Sequence, residues 1–136
     1  KEDWKTKHWR AIISAYNSSP FFEFYCDDLK EVLFKEYLSL ANLNKALLEH
    51  IYNELAITNN VITSETYITI KDSELDLRST LNPKKTFKGS DTYPRYIQIF
   101  KAKHGFQSNL SILDLLFHEG PESLNYLINL INLINH

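Results

Sequence analysis

The chain has 136 residues, is 43% hydrophobic and 24% charged, and carries a formal net charge of −2. That composition excludes a disordered chain and fits one folded domain, and the slight acidity argues against a general nucleic-acid binder. One cysteine, Cys26, excludes an internal disulfide and suggests a reducing compartment.

No apolar run approaches the roughly 18 residues that would span a membrane. Only three Gly and four Pro are present, which favours helices over sharp turns. The chain opens "KEDWKTKHW", without Met or a signal-peptide pattern. We therefore expect it to be the C-terminal part of a longer polypeptide.

In chain order, residues 3–16, "DWKTKHWRAIISAY", show helical spacing of Trp4, His8, Ala11 and Ala15. Pro20 ends this helix by pushing Ser19 out of the helical region. "FFEFY" follows, four aromatics in five positions. "CDDLKE" offers a helix start, with Asp28 as N-cap and Glu31 three residues on. An apolar stripe then runs to about residue 55, with a break expected at Asn42 or Asn44.

Residues 59–70, "NNVITSETYITI", are rich in β-branched residues and read as one or two short strands. "DSELDLRSTL" reads as a short helical turn, and 82–94, "NPKKTFKGSDTYP", as a loop. "RYIQIFKAKHGF" predicts a helix closed by Gly105, and "SILDLLFHEG" one closed by Gly120. Pro121 opens the last helix, "PESLNYLINLINLINH". Its three-residue repeat spreads apolar residues over a broad face, as in a core or interface helix.

Ser111, Asp114 and His118 share a helical face and invite a triad reading. Ser111 and His118, however, lie two turns apart, roughly 10 Å along the axis, too far for proton transfer. Ser-x-x-Asp before an apolar run fits a capping box better, with Ser111 as N-cap and Asp114 reaching back to the backbone. No two histidines are spaced i,i+4 and there is no Cys pair, so no metal site is expected.

From Leu77 to His104 there are seven Lys or Arg against Asp91 alone. Arg78, Lys84 and Lys85 are candidates for holding a phosphate or carboxylate; a solvated basic face is the alternative. The aromatic cluster Phe21–Tyr25 could stack a sugar or base, although core packing is the commoner use. The acidic neighbours of Cys26 disfavour a nucleophilic thiol.

Taken as strings, "KHWRAIISAYNSSPFFEFY" followed by "DDL", then "DLRSTLNPKK", then "YIQIFKAKHGFQSNLSILDLLFHEGP" resemble the WbqC-like family, in the form found in Bacteroides-type bacteria. The resemblance runs across almost the whole chain in the family's order. It implies a bacterial cytoplasmic protein. Family members occur with genes for O-antigen and other surface polysaccharides, and transfer of glycine to a sugar has been suggested for them. They are longer, with an N-terminal region of distinctive polar motifs, and carry Asn where this chain has His118. The resemblance maps onto His8, Tyr16, Arg78, Lys84, His104, Asn109, Asp114 and Glu119, without a catalytic role to transfer.

These readings predict a mainly α fold of about six helices around one core, with a minor β element near residues 61–70. All 136 residues form a single α-rich domain. The expected function is transfer of a small acyl or aminoacyl group to a sugar. His104 or His8 would be the base, with Glu119, which no cap explains, as a further catalytic candidate. Arg78, Lys84 and Lys85 would hold a nucleotide-sugar or other anionic small molecule, and Tyr16 and Asn109 would contact substrate. No cofactor is identified. The alternative is a non-catalytic helical module, with Leu124–Ile134 packing on the N-terminal region, a partner or a second copy.

Overall fold

The computed structural model describes residues 3–59, 61–69 and 93–134, and they are mainly helical. Helix α1 spans Trp4–Tyr16 and starts at Asp3, whose carboxylate accepts from the Lys5 N–H at 3.1 Å. Helix α2 spans Phe22–Phe34 and α3 spans Leu40–Glu54. A single helical turn, α4, covers Lys101–His104. Helix α5 is Ile112–Glu119, and a 3-10 turn, Gly120–Glu122, joins it to α6, Ser123–Ile134.

Helix α2 begins six residues before the expected cap at Asp28. The aromatic run is itself helical: Phe22, Tyr25, Cys26, Leu29 and Leu33 fall on one face against the core. Asp28 is exposed in mid-helix. The break before α3 falls at 35–39, not at Asn42 or Asn44, and Ser39 is the N-cap, accepting from the Asn42 N–H at 3.2 Å. Lys5 secures the junction, donating to the carbonyls of Phe34 at 3.2 Å and Lys35 at 2.7 Å. These carbonyls have no partner within the helix they terminate.

Two adjoining clusters form the interior. Trp9, Phe22, Leu29, Leu33 and Phe117 make one. Ile51, Leu55 and Leu116 make the other. Phe117 is fully buried; its ring meets Phe22 at 5.1 Å and Tyr16 at 5.2 Å. Burial of this order makes Phe→Ala cost about 3–5 kcal/mol. Five consecutive residues of α5, Asp114 to His118, are buried, while Ile112, Leu113 and Glu119 at its ends are partly exposed.

The expected β element does not form: there is no strand among the described residues, and 61–69 is irregular with one bend. Ile62 and Tyr67 are exposed there. β-Branched composition without a half-buried sheet surface does not make a strand. The helix expected over 95–104 shrinks to α4, because 94–98 is irregular chain. Among the described residues no helix is long and apolar enough to cross a membrane.

Candidate functional site

The segment after Pro94 carries the polar side chains that organise the site. Tyr96 is half-buried and Gln98 buried, while Ile97 between them is 77% exposed. Alternation of period two puts the polar residues inside. Gln98 is used at both ends of its amide. Nε2 donates to Asp114 Oδ2 at 3.0 Å and to the Gln107 carbonyl at 2.9 Å. Oε1 accepts the Gln107 N–H at 2.9 Å. One side chain thus ties the 105–111 loop to α5.

Asp114 is the centre of the network. Its Oδ2 also accepts from the Tyr96 hydroxyl at 2.5 Å. Burial, and then the Asp114 charge and hydrogen bond, push the Tyr16 hydroxyl up from its ordinary pKa. For Tyr96, burial and the Asp114 hydrogen bond push in the same direction. Asp114 therefore does not close a capping box. Ser111 does cap α5, accepting from the Leu113 N–H at 3.3 Å, but the Asp114 carboxylate turns inward to tyrosines and a glutamine. A buried carboxylate needs such donors.

His118 joins the same layer without acting as a base. Its Nε2 accepts the Ile99 N–H at 3.0 Å, which leaves Nδ1 as the protonated nitrogen, donating to the Asp114 carbonyl at 2.6 Å. Both nitrogens are committed to backbone, so the triad reading fails on geometry.

Above this layer lies a cavity of about 340 Å³, lined by Gln98, Phe100, His104, Gln107, Asp114 and His118, among others. His104 ends the α4 turn, where Gly105 stops the helix at φ 69° and the His104 carbonyl accepts from Gln107 Nε2 at 2.8 Å. Such a φ suits glycine. Of the described residues named from sequence as base or substrate contacts, His104 lines this cavity. Tyr16 sits beneath it, its ring 6.2 Å from His118. Asn109 lies on an adjoining groove, in left-handed conformation at φ 56°.

The remaining candidates stand elsewhere or outside the described residues. His8 is exposed on α1, with Nδ1 2.9 Å from the Trp4 carbonyl and its ring 5.5 Å from the indole. Glu119 is partly exposed beside Tyr126, whose hydroxyl its charge helps to push up after burial does. Arg78, Lys84 and Lys85 lie outside the described residues. Cys26 has its thiol pushed up by burial and then by Asp27, which opposes a thiolate. Tyr96, Gln98 and Gln107 were missed as site residues, and Asp114 was read as a helix cap. The signal was there for two of them: polar residues two and four positions after Pro94.

Among the described residues no cluster of three His, Cys, Asp or Glu side chains is placed to hold a metal ion. The chain matches the WbqC-like protein family over residues 1–85 and 80–126. It is similar to the uncharacterized protein Rv1507c of Mycobacterium tuberculosis, 27% identical over 153 residues and covering 92% of this chain. The chain spans 64% of the length of that relative. No solved structure matches it.

Proposed function

This chain belongs to the WbqC-like protein family, and we propose on that premise that it contributes a transferase site moving a small acyl or aminoacyl group onto a sugar. The supporting observation is that His104 lines the 340 Å³ cavity together with Gln98 and Asp114, which hydrogen-bond each other. A concave pocket with a few fixed polar groups and one unshielded imidazole is the arrangement that general-base chemistry needs.

In this reading a hydroxyl or amine of the sugar attacks the carbonyl of an activated acyl ester or thioester. His104 takes the proton of the attacking group as the new carbon–oxygen or carbon–nitrogen bond forms. The bond to the leaving group then breaks, and His104 returns the proton to it. Arg78, Lys84 and Lys85 would hold an anionic handle on the donor, such as a nucleotide or phosphate. The bacterial cytoplasm and the assembly of surface polysaccharide, O-antigen included, enter the proposal through the family resemblance alone.

Thermal-shift screening of the intact protein against nucleotide sugars and acyl thioesters tests this. Stabilisation by a donor that His104→Ala leaves intact, with transfer lost, is the expected result. The reading falls if no ligand stabilises the protein and His104→Ala keeps full function in the host.

A second reading has its own observation. An apolar groove of about 420 Å³ is lined by Leu29, Leu47, Leu48, Ile51, Ile112 and Leu113, with Asn44 at its edge. Ile128, Ile131 and Leu133 of α6 are also about half exposed. Such surfaces suit a helical interaction module. Charged substitutions at Leu48 and Ile131 that abolish host function while sparing ligand stabilisation would favour it.

A further inference from the structure

We propose that a second groove, separated from the His104 cavity by Leu110, is a subsite for one uncharged saccharide ring. This groove has a volume of about 170 Å³ and is lined by Tyr93, Tyr96, Tyr126, Asn109 and Ser111, together with leucines and Ile112. None of these lining residues is Lys, Arg, His, Asp or Glu. Its lining combines three tyrosines with one side-chain amide and one hydroxyl.

The aromatic surface is fixed in place. The Tyr96 and Tyr126 rings stand at 86° with centroids 5.3 Å apart, so they form a right-angled corner. Tyr126 donates to the Pro94 carbonyl at 2.7 Å, and Tyr96 to Asp114. A tied hydroxyl leaves the ring as a rigid wall at low entropic cost on binding. Ser111 Oγ accepts from the Leu113 N–H, so its own proton remains to be donated. Asn109, at φ 56°, lines the same groove.

A pyranose has what these groups recognise: an apolar face of C–H groups for a tyrosine ring, and hydroxyls around the edge for an amide and a serine. A nucleotide would bring phosphate charge to a groove whose described lining offers no cation. Leu110 lines both cavities, and Tyr96 lines the groove while its hydroxyl grips Asp114, which lines the other cavity. The two spaces are thus back to back. Assigning the groove to the acceptor sugar, and the His104 cavity to the group transferred, rests on the transferase reading; saccharide binding in the groove does not.

The test is a protein-detected NMR titration of the intact protein with glucose, galactose, N-acetylglucosamine and N-acetylgalactosamine, and with uridine for comparison. At least one saccharide should move resonances of Tyr93, Tyr96, Asn109 and Tyr126. Asn109→Gly keeps the left-handed backbone and should weaken binding roughly fivefold, as expected for one neutral hydrogen bond. Tyr126→Ala should weaken it at least about tenfold through lost stacking. The proposal is overturned if no saccharide perturbs the groove, if Asn109→Gly leaves affinity unchanged, or if uridine binds there in preference. Groove binding without any transfer would sink the transferase reading alone; transfer lost in His104→Ala without groove binding would sink the subsite alone.

Discussion

The Tyr96 hydroxyl reaches across eighteen residues of sequence to donate to Asp114 Oδ2 at 2.5 Å. Asp114 is 5% exposed, so this hydrogen bond satisfies a carboxylate that water does not. Hydrogen bonds to charged groups contribute about 1.5–3 kcal/mol. Tyr96→Phe should therefore lower unfolding free energy by roughly that amount, with the urea m-value unchanged. Asp114→Asn should cost at least as much, and the double variant should cost less than the sum of the two. Additive losses would show that the two side chains do not act as a pair.

Stability should fall at alkaline pH. Burial, the first cause in each case, raises the folded pKa of Tyr16, Tyr25, Tyr96 and Tyr126. A raised folded pKa favours the neutral phenol in the native state. That stability is complete below the unfolded value of about 10 and is lost as pH climbs toward the folded values. Unfolding midpoints measured from neutral to strongly alkaline pH should be flat and then decline, with a shallower decline in Tyr96→Phe. A midpoint that rises above that pH would contradict these environments.

Two glycines should differ in what an added methyl costs. At Gly120, φ is 53° and a Cβ would lie 2.6 Å from the Phe21 ring, which is held by the Phe21 N–H bond to the Phe117 carbonyl at 3.0 Å. Strain and overpacking together make Gly120→Ala cost about 3 kcal/mol or more. At Gly105, φ is 69° but nothing lies within 4 Å of a Cβ. Gly105→Ala should cost only the backbone strain, about 1–2 kcal/mol. Thermal unfolding of the pair checks the order.

Ala56 follows α3 at φ 54°, a left-handed position for a residue with a Cβ. The Ala56 and Ile57 N–H groups close the helix end on Asn53 and Tyr52 carbonyls at 3.0 and 2.8 Å. That is the glycine position of a Schellman ending. Ala56→Gly should stabilise the protein by about 0.5–1 kcal/mol. A lowered melting temperature would mean that Ala56 contributes packing which its exposure does not suggest.

Hydrogen exchange reads the His118 contact directly. The Ile99 amide lies outside regular structure yet donates to His118 Nε2 at 3.0 Å. It should exchange slowly in the native protein and far faster in His118→Ala, while amides of α2 keep their protection. Equal rates in both proteins would leave the irregular segment held by something else.

The helices were legible because their signals are local: the Ser111 cap, the Gly120 stop and the apolar stripes of α1, α3 and α6 lie within a few residues of what they control. Segments whose structure depends on distant partners were not. "RYIQIF" carries helix-compatible residues, but Tyr96, Gln98 and the Ile99 N–H are claimed by Asp114, Gln107 and His118, and those bonds override propensity. "VITSETYITI" carries strand composition without a strand in its described part. His104, named from the sequence as a candidate base beside His8, lines the cavity. Asp114 was noticed and given the wrong partner, because Ser-x-x-Asp spacing says nothing about a tyrosine eighteen residues upstream.

The middle of helix α5, Asp114 to His118, has no solvent face to spare. Asp114 and His118 hold the site layer, while Phe117 and Leu116 between them close the two interior clusters. Four adjoining positions of one short helix therefore answer to two demands at once, and drift at one is felt at the others. Variation in specificity among related chains should accordingly collect on the 105–111 loop and on the groove side of α6, where side chains can change without reopening the interior.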